Sequence, residues 1–208
     1  MKKIPVGIAV LALALAASTG AQASDESGPW AVRVGILELH SANKSDGGGP
    51  LGLPADAIHV SNKAFPEVDV LYAFTPNIVA ELVLTYPQKH EVTLGGTDIG
   101  SFKQVPPSLL GQYHFLPGGL LDPYVGAGIN FTWISSVHLL NGAGDLKKTS
   151  VGGVLDLGLD YRIDARWFAN LDVKLITPLQ SDVSVGGTKV STVKVNPMLY
   201  GLGVGYRF

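Results

Sequence analysis

Apolar side chains recur at every second residue over long stretches of this chain. From Val151 to Ile163 apolar residues hold the odd positions, and Asp156, Asp160 and Arg162 fall on the other face. Strict period two with one apolar face predicts a β-strand. Eight segments follow this rule, seven of about 8 to 11 residues and one of 13, and strands of about this length cross a bilayer at a tilt. They are residues 30–37, 67–74, 78–86, 108–115, 124–134, 151–163, 167–175 and 198–208.

The connections between these segments alternate in length. Short links are predicted at 75–77, 116–122 and 164–166, and long ones at 40–65, 87–107 and 135–150, with a hairpin-like extension around Gly186 and Gly187. Short turns on one rim and long loops on the other are typical of outer-membrane barrels. The chain is therefore predicted to be all-β: an eight-stranded antiparallel up-and-down transmembrane β-barrel with long extracellular loops and both termini on the short-turn side.

Period two does not say which face lies inside. A soluble carrier barrel of the lipocalin type would turn its apolar face inward around a ligand. Two features favour the membrane orientation. Glycines concentrate on the polar face, where small residues suit a narrow lumen, and aromatic residues lie at strand ends on the apolar face, where interfacial girdles belong. The second group comprises Trp30, Phe74, Tyr86, Phe115, Trp133, Trp167, Tyr206 and Phe208.

The first residues are typical of an export signal. Lys2 and Lys3 precede a short apolar stretch from Ile4 to Ala17, and Ala21-Gln22-Ala23 supplies a small-x-small cleavage pattern. An uncleaved anchor helix is the alternative, but the apolar run is short and contains Pro5 and Gly7. We predict that residues 1–23 are removed and that residues 24–208 form one barrel in the outer membrane of a Gram-negative cell.

Composition disfavours several functional classes. Charged residues make up 15% of the chain and the formal net charge is −2, so the excess of Lys and Arg that is typical of nucleic-acid binding is absent. Without cysteine, thiolate metal sites and cysteine nucleophiles are excluded. The five histidines fall in no HxxxH or HExxH spacing, and no GxSxG elbow accompanies them. We expect no catalysis, no metal and no cofactor, although rim histidines could in principle serve a lipid-modifying barrel.

Three segments carry a family resemblance: Pro106-Pro107-Ser108-Leu109 followed by Gln112-Tyr113-His114-Phe115; Pro123 to Thr132, with its Tyr-Val-Gly-Ala-Gly-Ile-Asn core; and the ending Gly203 to Phe208. They resemble the outer-membrane protein W family, which includes the AlkL-type alkane importers. The resemblance implies a monomer with a narrow, largely apolar channel that passes small hydrophobic molecules and releases them sideways into the membrane. It also implies outer-membrane lipid and lipopolysaccharide as surroundings, and recognition of Tyr206 and Phe208 by the barrel-assembly machinery.

The long connections carry more apolar residues than solvated loops usually do. Two interpretations stay open: a hydrophobic vestibule for the solute, or simple packing of the loops on one another. The vestibule candidates are Leu51, Leu53, Ile58, Phe65, Val137, Leu139 and Leu140.

The inward face of the barrel is charged. An eight-stranded barrel is only wide enough for its side chains to fill it, and an isolated buried charge is very costly. We therefore expect these groups to pair in a polar plug rather than to line an ion pathway. They are Arg33, Glu67, Asp69, Glu81, Asp156, Asp160, Arg162, Asp172, Lys174 and Arg207.

A lateral opening is predicted near Pro106 and Pro107, because proline lacks the N–H that a strand ladder needs. Pro197 is the second candidate. A barrel that acts in adhesion, as a receptor or as a membrane brace is the alternative to transport, although loops such as residues 49–54, rich in proline and leucine, favour a hydrophobic mouth.

Overall fold

The computed structural model describes residues 28–47, 52, 54–178, 180–194 and 196–208. The predicted signal peptide, Leu51 and Leu53 lie outside these residues. One 3₁₀ turn occurs at Leu140–Gly142. In the described residues, no helix is long and apolar enough to span a membrane. The strands are β1 (Trp30–His40), β2 (Lys44–Ser45), β3 (Ile58–Val60), β4 (Lys63–Ala73), β5 (Ile78–Thr85), β6 (Gln88–Leu94), β7 (Thr97–Val105), β8 (Ser108–His114), β9 (Leu121–Leu139), β10 (Gly144–Leu146), β11 (Thr149–Arg162), β12 (Trp167–Thr177), β13 (Gln180–Val185), β14 (Thr188–Lys194) and β15 (Met198–Arg207).

Eight of these strands close into a ring. Strand β1 pairs with β4 on one side and with β15 on the other, and every pairing around the ring is antiparallel. The order is β1, β4, β5, β8, β9, β11, β12 and β15. The predicted eight-stranded up-and-down barrel is confirmed, and each predicted segment corresponds to one strand of the ring.

The apolar face of the ring points outward. Leu157 is 62% exposed and Leu202 65% exposed, whereas the alternate residue Asp156 is 5% exposed. A soluble carrier would bury the leucines instead. The structure therefore has the membrane orientation that the glycines and aromatic residues indicated.

The short connections lie at one end of the barrel, together with the start of β1 and the end of β15. At the β11–β12 turn the Asp164 carboxylate accepts the backbone N–H groups of Arg166 and Trp167 at 2.8 and 2.7 Å. These hydrogen bonds hold the pKa of Asp164 below its ordinary value. Near this rim the Phe208 N–H donates to the Trp30 carbonyl at 3.0 Å, which ties the last residue to the first strand.

The long connections differ from the predicted loops, because most of their described residues form strands. Strands β6 and β7 make a hairpin, as do β13 and β14, and β3 and β10 pair with these hairpins. The hairpin tips are Gly95-Gly96 and Gly186-Gly187, all with positive φ, as tight hairpin turns require. We call the part built from β2, β3, β6, β7, β10, β13, β14 and the end of β9 the extension. It continues the barrel wall beyond the membrane.

Candidate functional site

The polarity of the two faces inverts along the strands. In the lower half of β1, Arg33 points inward and Val34 outward; in the upper half, Leu37 and Leu39 are buried inside and Glu38 faces out. Lipid surrounds the lower half, so charges must stay inside. Water surrounds the upper half, so apolar residues gather inside. The interior is consequently ionic in the lower part and apolar in the extension.

The ionic layer is centred on two buried cations. The Arg33 Nε donates to Asp69 Oδ2 at 2.7 Å, and its Nη2 pairs with the Glu81 carboxylate. The Lys174 Nζ lies 2.9 Å from Asp172 Oδ1 and 3.6 Å from Glu81 Oε1. All five side chains are at most 2% exposed. Buried charges in such surroundings need partners, and removal of one partner is strongly destabilising.

Neutral polar side chains extend this layer across the lumen. The Gln112 Nε2 donates to Glu81 Oε2 at 2.8 Å and to Asp156 Oδ2 at 3.0 Å. The Tyr124 hydroxyl accepts from Asn170 Nδ2 at 2.9 Å, and the same Asn170 nitrogen lies 2.8 Å from Asp160 Oδ1. Gln112, Tyr124 and Asn170 were not among the predicted plug residues. Their position on the inward face of the alternation was the available signal.

The predicted plug residues separate into three groups. Arg33, Glu67, Asp69, Glu81, Asp156, Asp172 and Lys174 are buried in the lumen. Asp160 and Arg207 lie lower: the Arg207 guanidinium stacks over the Phe168 ring at 4.4 Å and its Nη2 is 3.6 Å from Asp160 Oδ2. The placement of Arg162 in the plug was wrong. It is exposed at the last position of β11, on the rim, where water can solvate its charge.

A narrow apolar cavity lies in the extension. Its volume is about 40 Å³, more than a single water needs. Only a few polar side chains join its wall, among them Gln104, Thr132 and Ser150. The apolar lining residues are Ile58, Val60, Val92, Ile99, Phe102, Ile134, Leu139, Leu146, Val183 and Val193.

The vestibule candidates fall into different surroundings. Ile58 and Leu139 line the extension cavity, and Phe65 lines a second cavity below it. Val137 packs against the cluster of buried apolar side chains that includes Ile58, Phe65 and Leu139. Leu140 is 37% exposed in the 3₁₀ turn and lines neither of the two cavities, and its place in a vestibule stays a prediction. Leu51 and Leu53 lie outside the described residues.

The second cavity joins the apolar and ionic parts of the lumen. Its wall is mostly apolar and includes Leu37, Phe65, Ile176 and Leu199, while Lys174 lies at its lower side. Pro106 and Pro197, from the two predicted gate positions, both line this cavity. The apolar lining of the lumen therefore ends where the ionic layer begins.

The barrel wall has an interrupted ladder at the height of this cavity. The β5–β8 ladder ends at Val83 and Ser108, and the β6–β7 ladder begins at Gln88 and Gln104. Four residues on one side of the gap face three on the other. The gap contains three residues without an N–H to donate: Pro87, Pro106 and Pro107. We call this gap the proline seam.

The opposite edge of the same segment is closed. The Phe131 N–H donates to the Pro107 carbonyl at 2.9 Å, and Asn130 Nδ2 lies 3.2 Å from the carbonyl oxygens of Pro106 and Pro107. Pro197 is tied in a similar way, because its carbonyl accepts the Ile176 N–H at 3.1 Å. The wall is therefore weaker on the β5 side of Pro106 than at either of these positions.

The rim histidines make contacts typical of structural residues. His40 Nε2 lies 2.9 Å from Glu38 Oε1, His59 bonds the Asp56 carbonyl, and His138 bonds the Ser136 carbonyl. His90 is fully buried, lies 3.1 Å from Gln104 Nε2, and stacks on Phe102. Its burial lowers the pKa of His90. In the described part of the chain, no group of three or more His, Asp or Glu side chains is arranged to hold a metal ion.

The predicted assembly residues lie at the end of β15. The Tyr206 ring contacts Trp167 and Phe208 edge to face, at centroid distances of 5.0 and 5.2 Å. Its hydroxyl accepts a hydrogen bond from Arg166 Nη1 at 3.0 Å. These contacts place both residues in the lower aromatic girdle, and their role in assembly stays a prediction.

The comparisons with known proteins agree on one family. The model of the OmpW family matches residues 26–208. An uncharacterized outer-membrane protein of Sinorhizobium fredii is 39% identical over 86% of this chain and 80% of its own length. Outer membrane protein W of Vibrio cholerae is 30% identical over the whole of both chains. The crystal structure of OprG from Pseudomonas aeruginosa has the same fold, with a TM-score of 0.76 and 24% identity over 88% of this chain and 97% of that one.

Proposed function

The chain belongs to the OmpW family of outer-membrane barrels, and on that premise we propose that it is a passive conduit for small hydrophobic molecules. The observation that carries the proposal is the apolar interior of the extension, which continues down to Lys174. An apolar solute crosses the polar lipopolysaccharide layer poorly but dissolves readily in hydrocarbon. A path with an apolar lining would let such a solute cross the lipopolysaccharide layer. The similarity of the sequence to a family with alkane importers supports the same class of solute.

The ionic layer is the reason to propose a sideways exit. An apolar molecule that passed between Arg33, Glu81 and Lys174 would have to separate buried charges from their partners, which is strongly unfavourable. The eight-stranded ring also leaves no room for a water-filled pore. The proline seam lies beside the lower cavity, since Pro106 belongs to both. We place the exit there, on the β5 side of Pro106.

Whole-cell uptake tests the proposal. Cells with and without the barrel, at matched outer-membrane levels, receive a labelled medium-chain alkane or a small labelled sugar. We expect the barrel to raise alkane uptake and to leave sugar uptake unchanged. If the barrel raises the uptake of no apolar solute, the proposal is wrong and a role in adhesion, reception or membrane bracing takes its place.

A further inference from the structure

Two lysines face each other on the outside of the wall, above the proline seam. Lys89 of β6 and Lys103 of β7 are directly paired in register, and both are exposed. The Cα atoms of such a pair lie about 4.5–5.5 Å apart.

This arrangement is unfavourable without an anion. Like charges directly opposite each other on a sheet are destabilising. The acidic neighbour Glu91 offers little compensation: its Oε1 is 3.9 Å from Lys89 Nζ, and both side chains are more than half exposed, so the pair contributes little. The two facing ammonium groups therefore form a positively charged patch.

The patch lies at the height of lipid head groups. Val105 pairs with Trp133, and two residues further along the same ladder Lys103 pairs with Ser135. Such a step along a strand is about 7 Å. Trp133 is 53% exposed and Tyr86 50% exposed on the outer face, and aromatic residues of this kind mark the membrane interface. The lysines thus lie just beyond the hydrocarbon, on the extension side of the barrel.

We propose that Lys89 and Lys103 bind a phosphate group of the lipid A part of lipopolysaccharide. The extension side faces the outer leaflet, where this lipid carries phosphates at the same depth. Lys89 is two residues beyond Pro87 and Lys103 three before Pro106, so a lipid held there lies beside the proline seam. The site does not depend on transport.

Binding of lipid A to the folded, full-length mature protein in detergent tests the site. The probes are bis-phosphorylated lipid A, dephosphorylated lipid A with the same acyl chains, and inorganic phosphate, and bound lipid is counted by native mass spectrometry. The test variant is Lys89→Gln with Lys103→Gln. The control is Lys44→Gln with Lys189→Gln, which removes the same charge from exposed lysines that pair with Asp56 and Asp182.

We expect the test variant to bind bis-phosphorylated lipid A at least about tenfold more weakly than the wild type, as two lost charge contacts imply. The control should bind normally, and dephosphorylated lipid A should bind wild type and variant equally weakly. Without lipid A, the melting temperature of the test variant should equal or exceed that of the wild type, because the repulsion is gone. Lys89→Arg with Lys103→Arg should retain binding.

Three results would overturn the site. One is equal binding of bis-phosphorylated lipid A by the wild type and the glutamine variant. Another is equal binding of phosphorylated and dephosphorylated lipid A by the wild type. The third is binding of inorganic phosphate as tight as that of bis-phosphorylated lipid A, which would remove the lipid as the ligand.

Discussion

Two glycines on the inward face make room for buried aromatic rings. A Cβ at Gly158 would overlap the Tyr124 ring, and one at Gly205 would overlap the Phe168 ring. Tyr124 is 1% exposed and its hydroxyl contacts both Arg33 and Asn170. The ring can therefore not move aside without breaking polar contacts of the ionic layer. The glycine pattern that indicated a crowded lumen has this specific cause.

Substitution of one of these glycines should destabilise the barrel through overpacking. We expect Gly158→Ala to lower the free energy of unfolding by about 1–3 kcal/mol, the usual cost of an added methyl group in a filled core. Gly111→Ala is the matched control: it lies in β8 on the outer face with nothing within 4 Å of the added Cβ. It should be neutral or stabilising by about 0.4–1 kcal/mol. Urea unfolding in lipid vesicles measures both, and equal effects would contradict this packing.

At the scale of elements, the strands of the ring were predictable and the extension was not. In the membrane, lipid on one side and a filled lumen on the other impose an uninterrupted alternation on each strand, as from Val151 to Tyr161. In β6 and β7 the surroundings are water outside and an apolar cavity inside, and glycine pairs close the turns. Buried Gln88, His90 and Gln104 interrupt the apolar face there. Residues 87–107 consequently resembled a loop.

The β6–β7 hairpin should become less stable in acid because of His90. Burial lowers the pKa of His90, so the folded hairpin favours the neutral imidazole. Stability is then full above the ordinary histidine pKa of about 6.5. It falls as the pH drops below that value, since the unfolded segment takes up the proton first. We expect protease cleavage in this hairpin to rise between pH 7.5 and 5.

The β13–β14 hairpin, whose residues 180–194 contain no histidine, serves as the internal reference for that experiment. His90→Gln should remove most of the pH dependence. If the hairpin with Gln in place of His90 opened in acid just as the wild type does, the assignment to this imidazole would be wrong.

For the whole molecule, the same alternation fits either a soluble carrier with an apolar interior or a membrane barrel with an apolar exterior. Only the closed ring in lipid distinguishes these two orientations. The sequence predicted the ring, its orientation and most members of the ionic layer, since every second side chain of a strand points inward. It did not predict which inward residues pair, because Arg33 meets Asp69, Glu81 and Asp172 across three other strands. The cavities and the proline seam also depend on distant strands meeting at one height.

A charge in the middle of the outer face should be costly only if lipid surrounds it. Leu157 lies between Val125 and Val173 on the neighbouring strands and is 62% exposed. We expect Leu157→Arg to lower the free energy of unfolding in vesicles by about 2–4 kcal/mol, and Leu121→Arg near the rim by about 0–1 kcal/mol. Similar small effects at both positions would indicate that water, not lipid, covers the outer face.

Alkane uptake by a barrel whose proline seam has been closed is the most direct test of the proposed exit. Because Pro107 bonds β9, the backbone edge of Pro106 faces β5, and valine at 106 would restore an N–H group on that edge. Pro197→Val, in the wall of the same cavity, is the control. We expect a several-fold fall in alkane uptake for Pro106→Val with Pro107→Val, at an unchanged level of folded barrel, and little change for the control. Uptake equal to that of the wild type in the doubly substituted barrel would contradict a sideways exit at this seam.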